Sequence, residues 1–140
     1  MKRKTTRIIA LIIALMLMLS TVAFASMTAS EYINATSAWI TRDGNTVEVN
    51  FYIIGTGTMD QIGLTCVDLY ESVPNGWDLV KTFDCTDSQY HDAMLTLNSG
   101  LHAGYLTYSG SASKSYYATC YFYAEKNGGS DTIPQNTPIG

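Results

Sequence analysis

Three cysteines, two histidines and twelve carboxylates are the residues of this 140-residue chain with the means to do chemistry. A nucleophilic thiol needs a base or a cation beside it to lower its pKa. Cys66, Cys85 and Cys120 carry no such neighbour in sequence, and His91 and His102 fall in or beside loops. The odd count leaves at least one thiol out of any internal bridge. Asp84, Asp87, His91 and Asp92 crowd one polar loop, and Asp60 lies in another. Hard cations want several oxygen ligands, but the spacing departs from the EF-hand pattern, and Asp in such segments ordinarily serves turns. No Gly-x-Ser-x-Gly elbow, phosphate loop or paired-histidine metal spacing occurs. Nothing singles out two of the twelve acids for glycoside hydrolysis. The expectation is therefore a non-catalytic protein with no catalytic residue, no metal ligand and no cofactor.

One aromatic pattern stands apart. Tyr117, Tyr121 and Tyr123 recur at odd positions near the C-terminus. On a strand, odd positions share a face, and a row of rings on a sheet can stack on sugars. These three tyrosines are the candidate ligand-binding residues, with a polysaccharide as ligand. The competing reading is that they cover the sheet and pair with neighbours across strands. Both readings put Ala118, Cys120 and Phe122 inside; the reverse phase would bury the tyrosines instead.

The elements that must position these residues are strands. Between 46 and 54, Val47, Val49, Phe51 and Ile53 alternate with Glu48, Asn50 and Tyr52, the two-residue period of a half-buried strand. Residues 31–40 pair with it through the turn at 42–45, and Gly55-Thr56-Gly57 is expected to break it. Further strands are expected at 64–71, at 77–83 after Pro74-Asn75-Gly76, at 116–125, and at 131–137, where Pro134 suits an edge. Residues 93–108 read either as two short strands around Asn98-Ser99-Gly100 or as one. The expected core is Val47, Val49, Phe51, Ile53, Val67, Leu69, Leu79, Phe83, Ala118 and Phe122. In that arrangement Cys66 faces away from Val67 and Leu69, while Cys120 faces in, so all three thiols are expected to be free.

This pattern predicts an all-β fold: a single immunoglobulin- or fibronectin-III-like two-sheet sandwich of about seven strands. A small barrel or a jelly roll is the alternative. Ahead of it, Lys2, Arg3, Lys4 and Arg7 precede an uncharged apolar run at 8–19 and the small-x-small site Ala23-Phe24-Ala25. These are the three parts of a secretory signal peptide, and the apolar run is short for a membrane span. The domain reading is a cleaved leader at 1–25 and a sandwich at 26–140. The leader holds four of the eight basic residues and none of the twelve acids, which leaves the remainder at a formal charge of −8. Such a surface repels phosphate backbones and anionic bilayers. Nucleic acid and, after cleavage, membrane are thus excluded as partners.

Several runs carry a family likeness: residues 55–63, Leu69-Tyr70-Glu71-Ser72, Gly76-Trp77, 79–83, Tyr116-Tyr117-Ala118 and 122–131. On these the chain resembles a group of small secreted β-sandwich proteins of Gram-positive, Clostridia-type bacteria whose function is not established. The resemblance covers about residues 46–131 and implies the sandwich fold and an extracellular address. It implies no substrate. Cysteine is not usual in that group at positions matching Cys66, Cys85 and Cys120, which speaks against an essential disulfide. The functional expectation is a secreted protein that binds a protein or cell-surface partner, with a glycan-binding module on the tyrosine face as the alternative.

Overall fold

The computed structural model describes residues 30–140, so the expected leader lies outside the described residues. Strands make up 74% of them, which establishes the all-β class. The elements are β1 (Ile33–Asp43), β2 (Thr46–Val73), β3 (Gly76–Asp84), a single helical turn α1 (His91–Met94), β4 (Leu95–Ser109), β5 (Tyr116–Lys126) and β6 (Gly129–Asn136). All six strands belong to one antiparallel sheet, curled into a half-barrel.

The spine of that sheet is β2, which is 28 residues long. Its first half lies between β1 and β4. Its second half pairs with β5 along one side, and with β3 and the start of β4 along the other. Gly55-Thr56-Gly57 does not end the strand as expected. The ladder with β4 shifts register between Ile54 and Met59, and the chain resumes as the same strand. Small residues let the backbone step out of the ladder while β1 stays attached through Thr56 N–H, which donates to Tyr32 O at 3.0 Å. In the same way residues 95–109 form one continuous strand, with Asn98 at φ 50°.

The hairpins follow turn chemistry. Asn127 and Gly128 have φ 53° and 80°, the pair of positive values a two-residue type I′ hairpin requires. The C-terminal residues continue the sheet beyond β6. Thr137 exchanges bonds with Ala118, its N–H donating to the carbonyl at 2.8 Å and its Oγ1 accepting from the N–H at 2.9 Å. Gly140 and Tyr116 exchange backbone bonds at 2.8 and 2.9 Å. The outer edges of β1 and β6 are fastened by side chains: Thr36 Oγ1 donates to Gln135 Oε1 at 2.7 Å, and Ser30 Oγ to Asp131 Oδ2 at 2.5 Å.

The concave face of the curl is the core. Val47, Val49, Phe51, Ile53, Val67, Leu69, Phe83, Ala118 and Phe122 are buried there, with Met59, Ile62, Leu64, Met94 and Tyr116. The tenth expected core residue, Leu79, is 55% exposed. A bulge explains it. Leu69 faces Lys81 and Tyr70 faces Leu79, so Val80 is the extra residue and the alternation of β3 inverts there. Val80 packs against the core in place of Leu79. The helical turn closes the concave side so tightly that a Cβ on Gly63 (φ +149°) would sit 1.9 Å from Met94 O.

Candidate functional site

The three thiols lie on different faces of the sheet or at its end. Val67 pairs with Cys120 and Cys66 with Tyr121, so neighbouring residues of β2 and β5 send the two sulfurs to opposite faces. Cys120 is buried, Cys66 and Cys85 are half-buried, and all three are free. Burial pushes the Cys120 thiol up to about 12. Burial, reinforced by the Asp68 and Asp84 carboxylates, pushes Cys66 up to about 11. Cys85 is raised by burial and by Asp84. A nucleophile needs the reverse, a thiolate at neutral pH.

Neither histidine serves these sulfurs. His91 Nδ1 donates to Cys85 O at 2.8 Å and His102 Nε2 to Ala93 O at 2.7 Å, which ties both rings to the 85–94 loop. Two of the loop carboxylates, Asp84 and Asp87, are likewise engaged. Asp84 Oδ1 accepts from Thr86 N–H at 2.8 Å and from its hydroxyl at 2.7 Å, and these bonds lower the Asp84 pKa. Asp87 Oδ1 accepts from Gln89 N–H at 3.0 Å. Asp60 does not join them; it caps the β5–β6 turn by accepting from Asn127 N–H at 2.7 Å. Among the described residues no three His, Cys, Asp or Glu side chains come together in a geometry to hold a metal ion.

The tyrosine face is more substantial. Tyr117, Tyr121 and Tyr123 alternate on β5 with buried Tyr116, Ala118, Cys120, Phe122 and Ala124, and all three are half-buried on the convex side. Tyr117 lies directly across from Tyr70 on β2, and their rings stack at 4.8 Å with planes 10° apart. Trp77 of β3 meets Tyr117 edge-on at 4.9 Å and 84°. These are offset and T-shaped contacts of the kind aromatic pairs prefer. They commit the ring of Tyr117 to its neighbours. At the other end of the row, the Tyr123 hydroxyl donates to Glu125 Oε2 at 2.5 Å, a bond that raises its pKa.

A second convex surface was missed by sequence reasoning. On the arm made of β1, the first half of β2 and β4, the outward rows are Ala35, Ile54 and Leu101; Ser37, Tyr52 and Ala103; and Trp39, Asn50 and Tyr105. Trp39 is 40% exposed, Leu101 54% and Tyr105 60%. Trp39 and Tyr52 touch edge to face at 6.4 Å. The signal lay in the polar-side alternation of residues 46–54. It was incomplete because residues 93–108 had no assigned phase, and Leu101 and Tyr105 belong to that stretch.

Tyr116 also escaped notice. It is fully buried at the start of β5. Its hydroxyl donates to Glu71 Oε2 at 2.6 Å and accepts from Ser111 N–H at 2.7 Å. Arg42 lies over its ring at 5.2 Å and donates to Ser111 O at 2.7 Å and to Lys114 O. The group pins the loop between β4 and β5.

No protein-family model matches the chain, and no curated protein matches it. Among solved structures, the chain is similar to hypothetical protein PH1083 from Pyrococcus horikoshii OT3, at 17% identity over 73% of this chain and 88% of that one. The TM-score is 0.32, too low to carry an argument about fold or function.

Proposed function

We propose that this is a secreted, non-catalytic β-protein that binds an extracellular protein or a cell-surface component through its convex apolar surface. The observation that carries the reading is the exposure of Trp39, Tyr52, Ile54, Leu101 and Tyr105 in adjacent rows of one sheet face. Exposed apolar residues scattered singly need no explanation, whereas a contiguous group marks a contact surface. Trp and Tyr are also the residues that dominate binding energy at interfaces. The raised thiol pKa values and the engaged histidines favour this reading over a thiol enzyme.

The extracellular address rests on the leader at 1–25, cut after Ala25, and on the resemblance to secreted proteins of Clostridia-type bacteria. An immunoglobulin- or fibronectin-III-like sandwich is the finer fold reading. Its support is the division of β2 into two arms whose inward side chains, Phe51 on one and Leu69 on the other, meet a common core. The acidic remainder, at −8, supports a partner other than nucleic acid or bilayer.

The second reading, a glycan-binding module on Tyr117, Tyr121 and Tyr123, draws support from Trp77, which extends the tyrosine face and is 36% exposed. One experiment separates the two. Purified protein is applied to intact cells of the producing organism and to insoluble polysaccharide, alongside the variants Trp39→Ser/Tyr52→Ser and Tyr121→Ala/Tyr123→Ala. The leading reading expects cell retention to fall at least about tenfold for the first variant only, as for interface aromatics. Retention on polysaccharide lost by the second variant alone would transfer the function to the tyrosine face.

A further inference from the structure

An antiparallel sheet that does not close leaves rows of unpaired N–H and C=O groups along its edges, and natural proteins blunt those edges with charge, proline or cover. Three of the four edge strands here are blunted. The β1 and β6 edges are joined by the Thr36–Gln135 and Ser30–Asp131 bonds, and β6 carries Pro134. The β3 edge carries Asp78, Lys81 and Asp84. The exception is β4. Its fifteen residues hold no Asp, Glu, Lys, Arg or Pro, and among the described residues it pairs with β2 alone.

The direction of its free groups can be worked out. Gly110 N–H donates to Asn45 O at 2.7 Å, one step beyond the pair Thr46 and Ser109. Residues of an antiparallel ladder turn alternately toward and away from their partner. His102, Gly104, Leu106 and Tyr108 therefore bond to β2, while Leu101, Ala103, Tyr105 and Thr107 turn their N–H and C=O outward. Leu101 is already satisfied: Ser99 Oγ accepts from its N–H at 3.2 Å and donates to its carbonyl at 2.7 Å. Ala103, Tyr105 and Thr107 are left with outward backbone groups, and their side chains are exposed on the convex face.

We propose that this edge pairs with the same edge of a second copy, antiparallel about a two-fold axis at Tyr105, to make one sheet that runs through both molecules. In that register Tyr105 exchanges backbone bonds with its counterpart, and Ala103 exchanges them with Thr107 of the other copy. The convex rows then join without placing like charges opposite each other. One row reads Trp39, Asn50, Tyr105 and then the same residues in reverse order. The next runs Thr41, Glu48, Thr107 and continues into Ala103, Tyr52 and Ser37 of the second copy. Glu48, the one carboxylate in these rows, is thus aligned with an alanine and a tyrosine. A strand shaped for a charged partner would carry the complementary charge, whereas an uncharged strand can pair with its own copy across a two-fold without setting like charges side by side. The inference stands on the β4 backbone and is independent of what the convex surface binds.

Sedimentation velocity of the purified protein, from about 1 to about 300 μM, tests it. The expected result is a concentration-dependent dimer. Ala103→Lys/Thr107→Lys should raise the dimer dissociation constant at least tenfold with an unchanged circular dichroism spectrum and, at about 1 μM, the monomer end of the range, an unchanged urea midpoint, because both side chains are solvent-facing and neither N–H bonds to β2. Tyr105→Cys, treated with the thiol oxidant diamide, should give a covalent dimer that the unaltered chain, with its three native cysteines, does not. A chain that stays monomeric throughout this range overturns the proposal. So does a dimer indifferent to the two lysines, or one that Tyr105→Cys fails to cross-link.

Discussion

At Cys120 a sulfhydryl replaces what could have been any small apolar side chain, and its burial gives it a pH signature. The thiol is pushed up to about 12 in the fold against 9.0 in the open chain, and Cys66 up to about 11. A group whose folded pKa is raised keeps its proton in the native state after the unfolded chain has released it. Unfolding is then favoured by rising pH, and stability is complete below the unfolded pKa. The window runs from about pH 9 to about pH 12. Tyr116, raised by burial and by its bond to Glu71, adds a loss of the same sign near the top of the window. The urea midpoint should hold steady through neutral pH and fall above about pH 9, and Cys120→Ala should flatten that fall. Parallel pH profiles for the two proteins would mean that Cys120 is not held as its burial indicates. The same burial keeps the thiols protonated at neutral pH, the reverse of the thiolate a nucleophile needs.

At the scale of elements, what could be read from sequence was decided by phase. Residues 46–54 and 116–125 alternate without interruption, as do 66–71 beyond a bulge at Thr65, and every large apolar residue assigned inward on them is buried. Phase failed where the backbone inserts a residue between two positions assigned to one face, because a bulge inverts everything beyond it and leaves no mark in composition. Val80 is such a residue in β3. It makes a sharp contrast within one strand: Phe83→Ala, on the near side of the bulge, should cost about 3–5 kcal/mol. Leu79→Ala, on the far side, should stay within about 0.5 kcal/mol. Urea midpoints of the two variants check this, and a Leu79→Ala loss as large as that of Phe83→Ala would contradict the inverted phase. The glycines at 55 and 57 misled for a related reason. They signal a departure from the ladder, which in this chain is a bend in β2 and not its end. The candidate surface on β1, β2 and β4 stayed hidden because its members come from three strands, and only the register aligns Trp39, Tyr52 and Leu101 on one convex face.

At the scale of the whole molecule, β2 decides how the protein unfolds. It is hydrogen-bonded to four of the other five strands, and β6 hangs on β5. Neither arm has a core of its own: Phe51 and Val49 from one arm and Leu69 and Phe122 from the other belong to the same apolar cluster. Losing one arm would strip the cover from the other, so the two should melt as a unit, as small single domains ordinarily do. The two tryptophans report on this separately. Trp39 sits in β1 on one arm and Trp77 in β3 on the other. Trp39→Phe leaves Trp77 as the single tryptophan, and Trp77→Phe leaves Trp39. Because both rings lie on the convex surface, neither change removes core volume. Within each variant, the urea transition followed by the remaining tryptophan should coincide with the one followed by far-ultraviolet circular dichroism. A tryptophan signal that moves ahead of the backbone signal in either variant would show an arm that unfolds on its own, and β2 would then be a hinge between two units and not the spine of one.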